Sequence, residues 1–341
     1  ATMMYYVMWG LGMYSVLWMF SLSNRWMANV LTKTNLGAVA AMHFVLSRDA
    51  RWPKASDSDV VRNMEPQASR RIIFVRHGES KWNDVFNRGF GPSFPVRLFR
   101  AIFEELLIIF QADDSIFFDS PLSPLGDSQV LRLYNFLEKP DNLPAGAEKD
   151  YKVLRGDTGS SVLVSSNLRR AVATGAIGFW GRIRRTKEKI YILSCLQEIS
   201  RNVDALALAP TGAVPRIDMP RELDGKAGVL DRQYMEGTWN YGNKALSSNG
   251  GKRMNAFAEW VFKRDEGTVI AAGHSLWFKH FFNTYLPRSC DHPARKLKMV
   301  NSGVVAFTLN QVKFSGRMVY YIVPESIQVV YGGFEEKKKK K

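Results

Sequence analysis

Apolar and polar positions divide the chain unevenly. From Met3 to Phe20 the sequence reads MMYYVMWGLGMYSVLWMF, interrupted only by two glycines and a serine, and no charged side chain occurs before Arg25. A bilayer span needs about 20 mainly apolar residues, and Trp and Tyr suit the two interfaces of one, so the pattern predicts a membrane anchor helix over 1–24. A buried core helix and a cleavable signal peptide compete with that reading. The triplet Ser21-Leu22-Ser23 favours the signal peptide, whereas the length of the run and the lack of a basic residue ahead of it oppose one. Leu36 to Leu46 is a second, shorter apolar stretch that suits a membrane-surface or packed helix better than a second crossing, although 26–46 with Lys33 alone leaves a crossing open. Residues 50–70 are polar, contain two prolines and keep no apolar period. Together 25–70 reads as a helical and extended linker arm.

Beyond the arm the period changes. Ile72–Val75, Val162–Ser165, Lys189–Leu193 and Thr268–Ala272 are short apolar runs of the kind that form buried strands. Each is followed by polar groups, and most by a helical pattern: Arg76-His77-Gly78-Glu79-Ser80, then Ser166 to Thr174, then Cys195 to Glu198, then Gly273-His274-Ser275. This alternation predicts a doubly wound α/β domain over 71–330, with a largely parallel sheet and helices on both faces. In such sheets ligand chemistry gathers at the carboxyl ends of the strands. Two insertions interrupt the alternation. The first, 86–120, contains Val96 to Gln111, an amphipathic helix whose default role is core packing and whose alternative is a docking surface. The second, 202–255, holds Arg216, Arg221, Lys244, Lys252 and Arg253 as candidates to meet an anionic leaving group. Residues 331–341 end in five lysines and read as a solvated basic tail.

Composition narrows the classes. At 341 residues, 46% of them hydrophobic and 23% charged, the bulk of the chain is neither disordered nor a repeat array. The net charge of +15 suggests a polyanionic partner, but basic residues do not cluster with aromatics as in a nucleic-acid module, so no nucleic-acid partner is expected. Two cysteines, Cys195 and Cys290, make neither a disulfide framework nor zinc-ligand spacing. Cys195 reads as an inert thiol, and His43, His280 and His292 as structural or solvent-facing. Arg25, Lys33, Arg48, Arg51 and Lys54 all follow the apolar run, which by the positive-inside rule puts the rest of the chain on the cytoplasmic or matrix side. A first residue that is Ala fits removal of an import sequence. The expected location is therefore single-pass in a membrane, the mitochondrial one favoured; the terminal lysines keep the ER or another organelle open.

The ordered set of strand ends resembles the histidine phosphatase superfamily, to which the cofactor-dependent phosphoglycerate mutases belong. Arg76 to Glu79 with Asn83 is similar to its RHGE-x-x-x-N signature, and Leu122-Ser123-Pro124-Leu125-Gly126 with Gln129 to its L-[ST]-x-x-G-x-x-Q element. Ser166, Leu168, Arg170, Ala171 and Thr174 match S-x-L-x-R-A-x-x-T, Leu196 and Glu198 match L-x-E, and Gly273-His274 matches the second-histidine element. The likeness covers about 71–309. LQEISRN, NYGNKAL and GHSLWFKHFF look nearest to the phosphoglycerate-mutase-like proteins of fungi, plants and protists.

The resemblance implies that His77 is a nucleophile taking up a phosphoryl group, that Arg76, Arg170 and His274 hold the phosphate oxygens with Asn83 as a neutral donor, and that Glu198 is the general acid and base. Ser275 stands where many members carry glycine; it either helps hold phosphate or caps the following helix. No metal or cofactor is implied. Phosphoryl transfer is chiefly positioning and charge stabilisation, which two guanidiniums supply. The expected activity is that of a membrane-anchored phosphomonoester hydrolase of the histidine acid type, acting on a phosphorylated small molecule or a phosphoprotein. The stretch after Asn83 lacks the Gly-Trp-x-Asp of the mutases, which disfavours mutase activity. A catalytically silent subunit of an organellar membrane complex, keeping the fold for binding, is the alternative from another class.

Overall fold

The structure is a computed structural model, and it describes residues 2–51, 58–224, 228–230 and 232–335. In chain order the elements are α1 (Thr2–Ser21), α2 (Arg25–Leu46), α3 (Ser58–Val61), β1 (Ala68–Arg76), α4 (Lys81–Phe86), α5 (Phe94–Leu107), α6 (Pro124–Glu138), α7 (Glu148–Arg155) and β2 (Ser161–Ser166). There follow α8 (Arg169–Gly178), α9 (Trp180–Thr186), β3 (Ile190–Leu193), β4 (Asp218–Met219), α10 (Arg221–Asp224), β5 (Gly228–Val229), β6 (Met235–Glu236), α11 (Gly250–Phe262), β7 (Thr268–Gly273) and α12 (Ser275–Tyr285). The chain closes with α13 (Pro293–Lys296), β8 (Val304–Phe314), β9 (Arg317–Ile322) and β10 (Gln328–Tyr331).

All four predicted strands form, and they lie side by side. The main sheet runs β10-β8-β1-β7-β2-β3-β6, with β9 beside β8. The pairs β1–β7, β7–β2, β2–β3 and β3–β6 are parallel; β8 is antiparallel to β1, β9 and β10. Alternate side chains of β1 enter two separate cores. Ile73 and Val75 face α6, α8 and α9, whereas Ile72 and Phe74 face α11 and α12, so the sheet is covered on both faces, as its near-continuous apolar strands require.

Outside the sheet two expectations change. The run from Met3 to Phe20 does form a 20-residue helix, but among the described residues no helix is long and apolar enough to cross a membrane. The expected transmembrane helix is thereby corrected: tyrosines, tryptophans, glycines and serines take up enough of α1 to dilute its aliphatic content. The helix pairs with α2, Tyr14 Oη donating to Asn35 Oδ1 at 3.1 Å, and leaves Met4, Trp9, Leu11 and Phe20 exposed. α2 is one 22-residue helix that includes Leu36–Leu46 and packs on the domain, Lys33 reaching Glu105 (3.1 Å) and the carbonyl of Ile108 (2.8 Å). The helix expected over 96–111 is α5, but only its Ala101 is buried, and Val96, Phe99, Leu106 and Leu107 are exposed. One face of α5 packs Phe94, Leu98 and Ala101 into a small cluster with Val85 and Ile116, and the other stays exposed.

Candidate active site

The pairing of β1 with β7 sets Arg76 opposite Gly273, and the chain leaves both strands at the same sheet edge. There His77 N donates to the Gly273 carbonyl at 3.0 Å, and the His77 and His274 rings lie 5.1 Å apart between centroids. Two residues nearly 200 positions apart thus become neighbours through strand register alone. β2 lies on the other side of β7, and Ser166 at its end puts Oγ 2.8 Å from His274 Nε2. Arg170 sits in the first turn of α8, and Glu198 follows the turn Ser194–Leu196 after β3. His77, His274, Arg76, Arg170, Glu198 and Ser275 are all buried.

The sequence elements around these residues now have mechanical roles. Thr174, one turn after Arg170, donates to the Arg170 carbonyl (2.8 Å) and accepts from Gly78 N (3.1 Å), tying the His77 loop to α8. Ser123 caps α6 by accepting from Gly126 N at 3.1 Å and donates to Glu79 Oε2 at 2.8 Å, while Gln129 Oε1 accepts from Glu79 N at 2.8 Å. Glu79 is thus a strut of the loop, and its other partner is Arg88 at 3.0 Å. A methyl group at Gly126 would run into the backbone carbonyl of Glu79, and one at Gly78 would lie 2.8 Å from the carbonyl of Gly126. Both positions exclude a side chain because two backbones cross there.

Electrostatics prepares the two imidazoles and the carboxyl differently. Burial, aided by Arg170 and Arg76, holds His77 well below the usual histidine range. Its Nδ1 lies 2.5 Å from the Gly78 carbonyl, so Nδ1 carries the proton and the Nε2 lone pair is free to attack. Burial and then Arg170 likewise keep His274 neutral. Glu198 is pushed above the usual carboxylate range by burial, against the pull of Arg170; its Oε1 accepts from Ile199 N (2.9 Å) and Trp277 N (3.0 Å). Arg76 Nε, Arg170 Nε and His274 Nδ1 are buried without a hydrogen-bond partner. Several other arginine Nε atoms away from the histidines share that lack, so it is the position of these three beside His77 rather than their lack of partners that marks the cluster.

Two expected members differ. Asn83 lies on α4 with its side-chain oxygen accepting from Asn87 Nδ2 at 2.8 Å, and it joins none of the contacts that assemble the cluster. Ser275 is the first residue of α12, with His274 in the capping position. Among the insertion's basic residues, Arg216 pairs with Asp113 (3.7 Å) and Asp218 (3.5 Å), and Lys244 and Arg253 pair with Asp49 (3.1 and 2.6 Å); Arg221 and Lys252 are exposed. Lys244 and Arg253 are thus committed to a buried carboxylate, whereas the pairs of Arg216 are long and exposed and it also lines a cavity of about 400 Å³. His43 is buried in α2, His292 caps α13 by accepting from Ala294 N, and burial pushes the Cys195 thiol up to about 12, all in keeping with structural roles.

Sequence reading did not find the carboxylates that hold the arginines. Arg170 donates to the Asp204 carbonyl (2.8 Å) and lies 3.3 Å from its carboxylate. Arg76 pairs with Glu335 at 2.7 Å and also donates to the Met299 carbonyl. Asp204 and Glu335 stand in no motif; only the rule that buried cations take partners pointed to such residues.

No protein-family model matches the chain, and no curated protein matches it. Among solved structures it is similar to the mycobacterial glucosyl-3-phosphoglycerate phosphatase (14% identity, 77% of this chain and 99% of that one, TM-score 0.35). It is also similar to the ecdysone phosphate phosphatase of Bombix mori (17%, 80% and 96%, TM-score 0.39) and to a protein described as mycobacterial hydrolase 1 (14%, 79% and 100%, TM-score 0.37). Likenesses this distant leave the activity to be judged from the site itself.

Proposed function

We propose that the protein is a phosphatase of the histidine phosphatase kind, hydrolysing a phosphomonoester through a phosphohistidine on His77 without a metal. The observation that carries this reading is the cluster itself: a neutral imidazole with Nε2 free, beside two buried guanidiniums and a second imidazole with unpartnered nitrogens. His77 Nε2 attacks phosphorus and the bond to the leaving oxygen breaks. That oxygen takes the proton of Glu198, whose raised pKa keeps one available. Glu198, now ionised, takes a proton from water; the oxygen attacks phosphorus, the P–N bond breaks, and phosphate and the starting enzyme result. Arg76 and Arg170 neutralise the charge that spreads over the equatorial oxygens. A phosphorylated small molecule or a phosphoprotein fits this chemistry equally.

The test is hydrolysis of p-nitrophenyl phosphate by the full chain. Turnover is expected to resist EDTA and to fall by at least about 10³-fold in His77→Ala; equal turnover in the variant would sink the reading. One observation favours the silent-subunit alternative, namely that both guanidiniums already carry internal carboxylates. Complete inactivity of wild type and of a variant lacking the Glu335 charge would select it. We also infer that α1, with its exposed Met, Trp and Leu side chains, lies against a membrane without crossing it. Co-flotation with anionic vesicles checks this, and loss of flotation on replacing Trp9 and Leu11 by Ser is expected.

A further inference from the structure

Asp49 lies in the segment that reads as a linker, yet it is only 1% exposed. Its Oδ2 accepts from Lys244 Nζ (3.1 Å) and Arg253 Nη2 (2.6 Å), its Oδ1 from Ser248 Oγ (3.0 Å), and its backbone carbonyl from Gly250 N (2.9 Å). The two cations direct their remaining donors at one short stretch of backbone. Lys244 Nζ donates to the carbonyls of Glu198 (2.7 Å) and Ser200 (2.6 Å), and Arg253 Nη1 donates to those of Gln197 and Cys195, the latter at 3.3 Å. Four carbonyls from 195 to 200 are therefore held by two neighbouring cations with one shared counter-ion.

The arrangement is informative because it is electrostatically demanding. Burial and the nearby Arg253 both push Lys244 down, and Asp49, with a smaller contribution from Glu198, raises it. Burial pushes Asp49 up, but Arg253 and Lys244 together outweigh it and hold its carboxyl below the usual range. Without Asp49 the two cations would repel at close range in a poorly solvated place. Their common purchase on the backbone around Glu198 would then loosen. Among the described residues the side chain of Glu198 adds bonds to Ile199 N and Trp277 N, so the direction of its carboxyl depends on where that backbone stands.

We propose that Asp49 is a positioning residue for Glu198: through Lys244 and Arg253 it fixes the backbone that aims the carboxyl at the leaving oxygen. The inference rests on Glu198 being the acid of the reaction proposed above. It predicts a signature that general destabilisation does not produce. A nitrophenolate departs without a proton, whereas an alkoxide needs one, so a misplaced acid slows alkyl esters selectively.

The experiment compares p-nitrophenyl phosphate with propyl phosphate, using the full chain carrying Asp49→Asn, Glu198→Gln or both. Asp49→Asn is expected to lower kcat/KM for propyl phosphate by at least about tenfold and for the aryl ester by less than about threefold, with KM little changed. In the double variant Asp49→Asn is expected to add nothing to the loss caused by Glu198→Gln. If Asp49→Asn alone fails to fold, Asp49→Glu, which keeps the counter-ion but displaces it from Lys244 and Arg253, is used and the same ratios are read. An equal fall on both esters, or a loss that multiplies that of Glu198→Gln, would overturn the proposal. If Glu198→Gln itself fails to discriminate between the esters, the acid assignment is what has failed, and the role of Asp49 falls with it.

Discussion

Two adjacent residues, Gly126 and Asp127, have consequences that a single substitution exposes. Gly126 sits where α6 crosses the loop after His77, and a methyl group there meets the Glu79 carbonyl. Gly126→Ala is expected to cost about 1–3 kcal/mol and to depress activity further by displacing the His77 loop; thermal unfolding and turnover read the two effects separately. Asp127, the next residue, is pushed up to about 6 by burial and then by Glu222 and Asp218. The unfolded chain releases that proton near pH 4, so between about pH 4 and 6 the folded state binds more protons, and its stability declines as pH rises. Asp127→Asn removes this decline. Its Tm relative to wild type is expected to climb by about 1–3 °C between pH 4 and 7, a modest amount because the group is partly solvated. Most of the residues that strand register brings together at this edge were legible from sequence, because each ends a strand or opens a helix within a spaced motif. The motif that contains Asn83 gave no sign of the Asn87 amide that its side-chain oxygen meets on the next turn of α4.

The elements that sequence reading placed least well are those that hold the site from outside. β8, β9 and β10 close one edge of the sheet, yet their strand pattern was not separated from the end of the domain, and antiparallel hairpins carry no motif to mark them. Their return brings the chain end to β1, where Phe334 bridges Met299 and Glu335 reaches Arg76. In the reaction proposed above, a carboxylate on that guanidinium would compete with the substrate phosphate. Glu335→Gln is therefore expected to lower KM for phosphate esters, and the inhibition constant of inorganic phosphate, by about two- to fivefold, the range set by a half-exposed ion pair; unchanged constants would show that Glu335 does not compete. The arm before β1 failed to reveal its role for the same reason. Asp49 and its partners are some 200 positions apart, and a polar stretch with no period gives no sign that one of its carboxylates is buried.

Across the whole molecule, the order of strands in space differs from their order of synthesis. β1 is the first strand of the main sheet to be made, and it lies in the middle between β7 and β8, which are among the last. At about 5–20 residues per second, its apolar core Ile72 to Val75 waits on the order of 10–50 s for the partners that cover its two edges. An unpaired strand of this composition is a template for pairing with other chains. The register that makes neighbours of His77 and His274 therefore also leaves the nascent chain exposed to mispairing, and soluble yield is expected to rise when a holding chaperone is co-expressed; an unchanged yield would show that the unpaired strand is protected in another way.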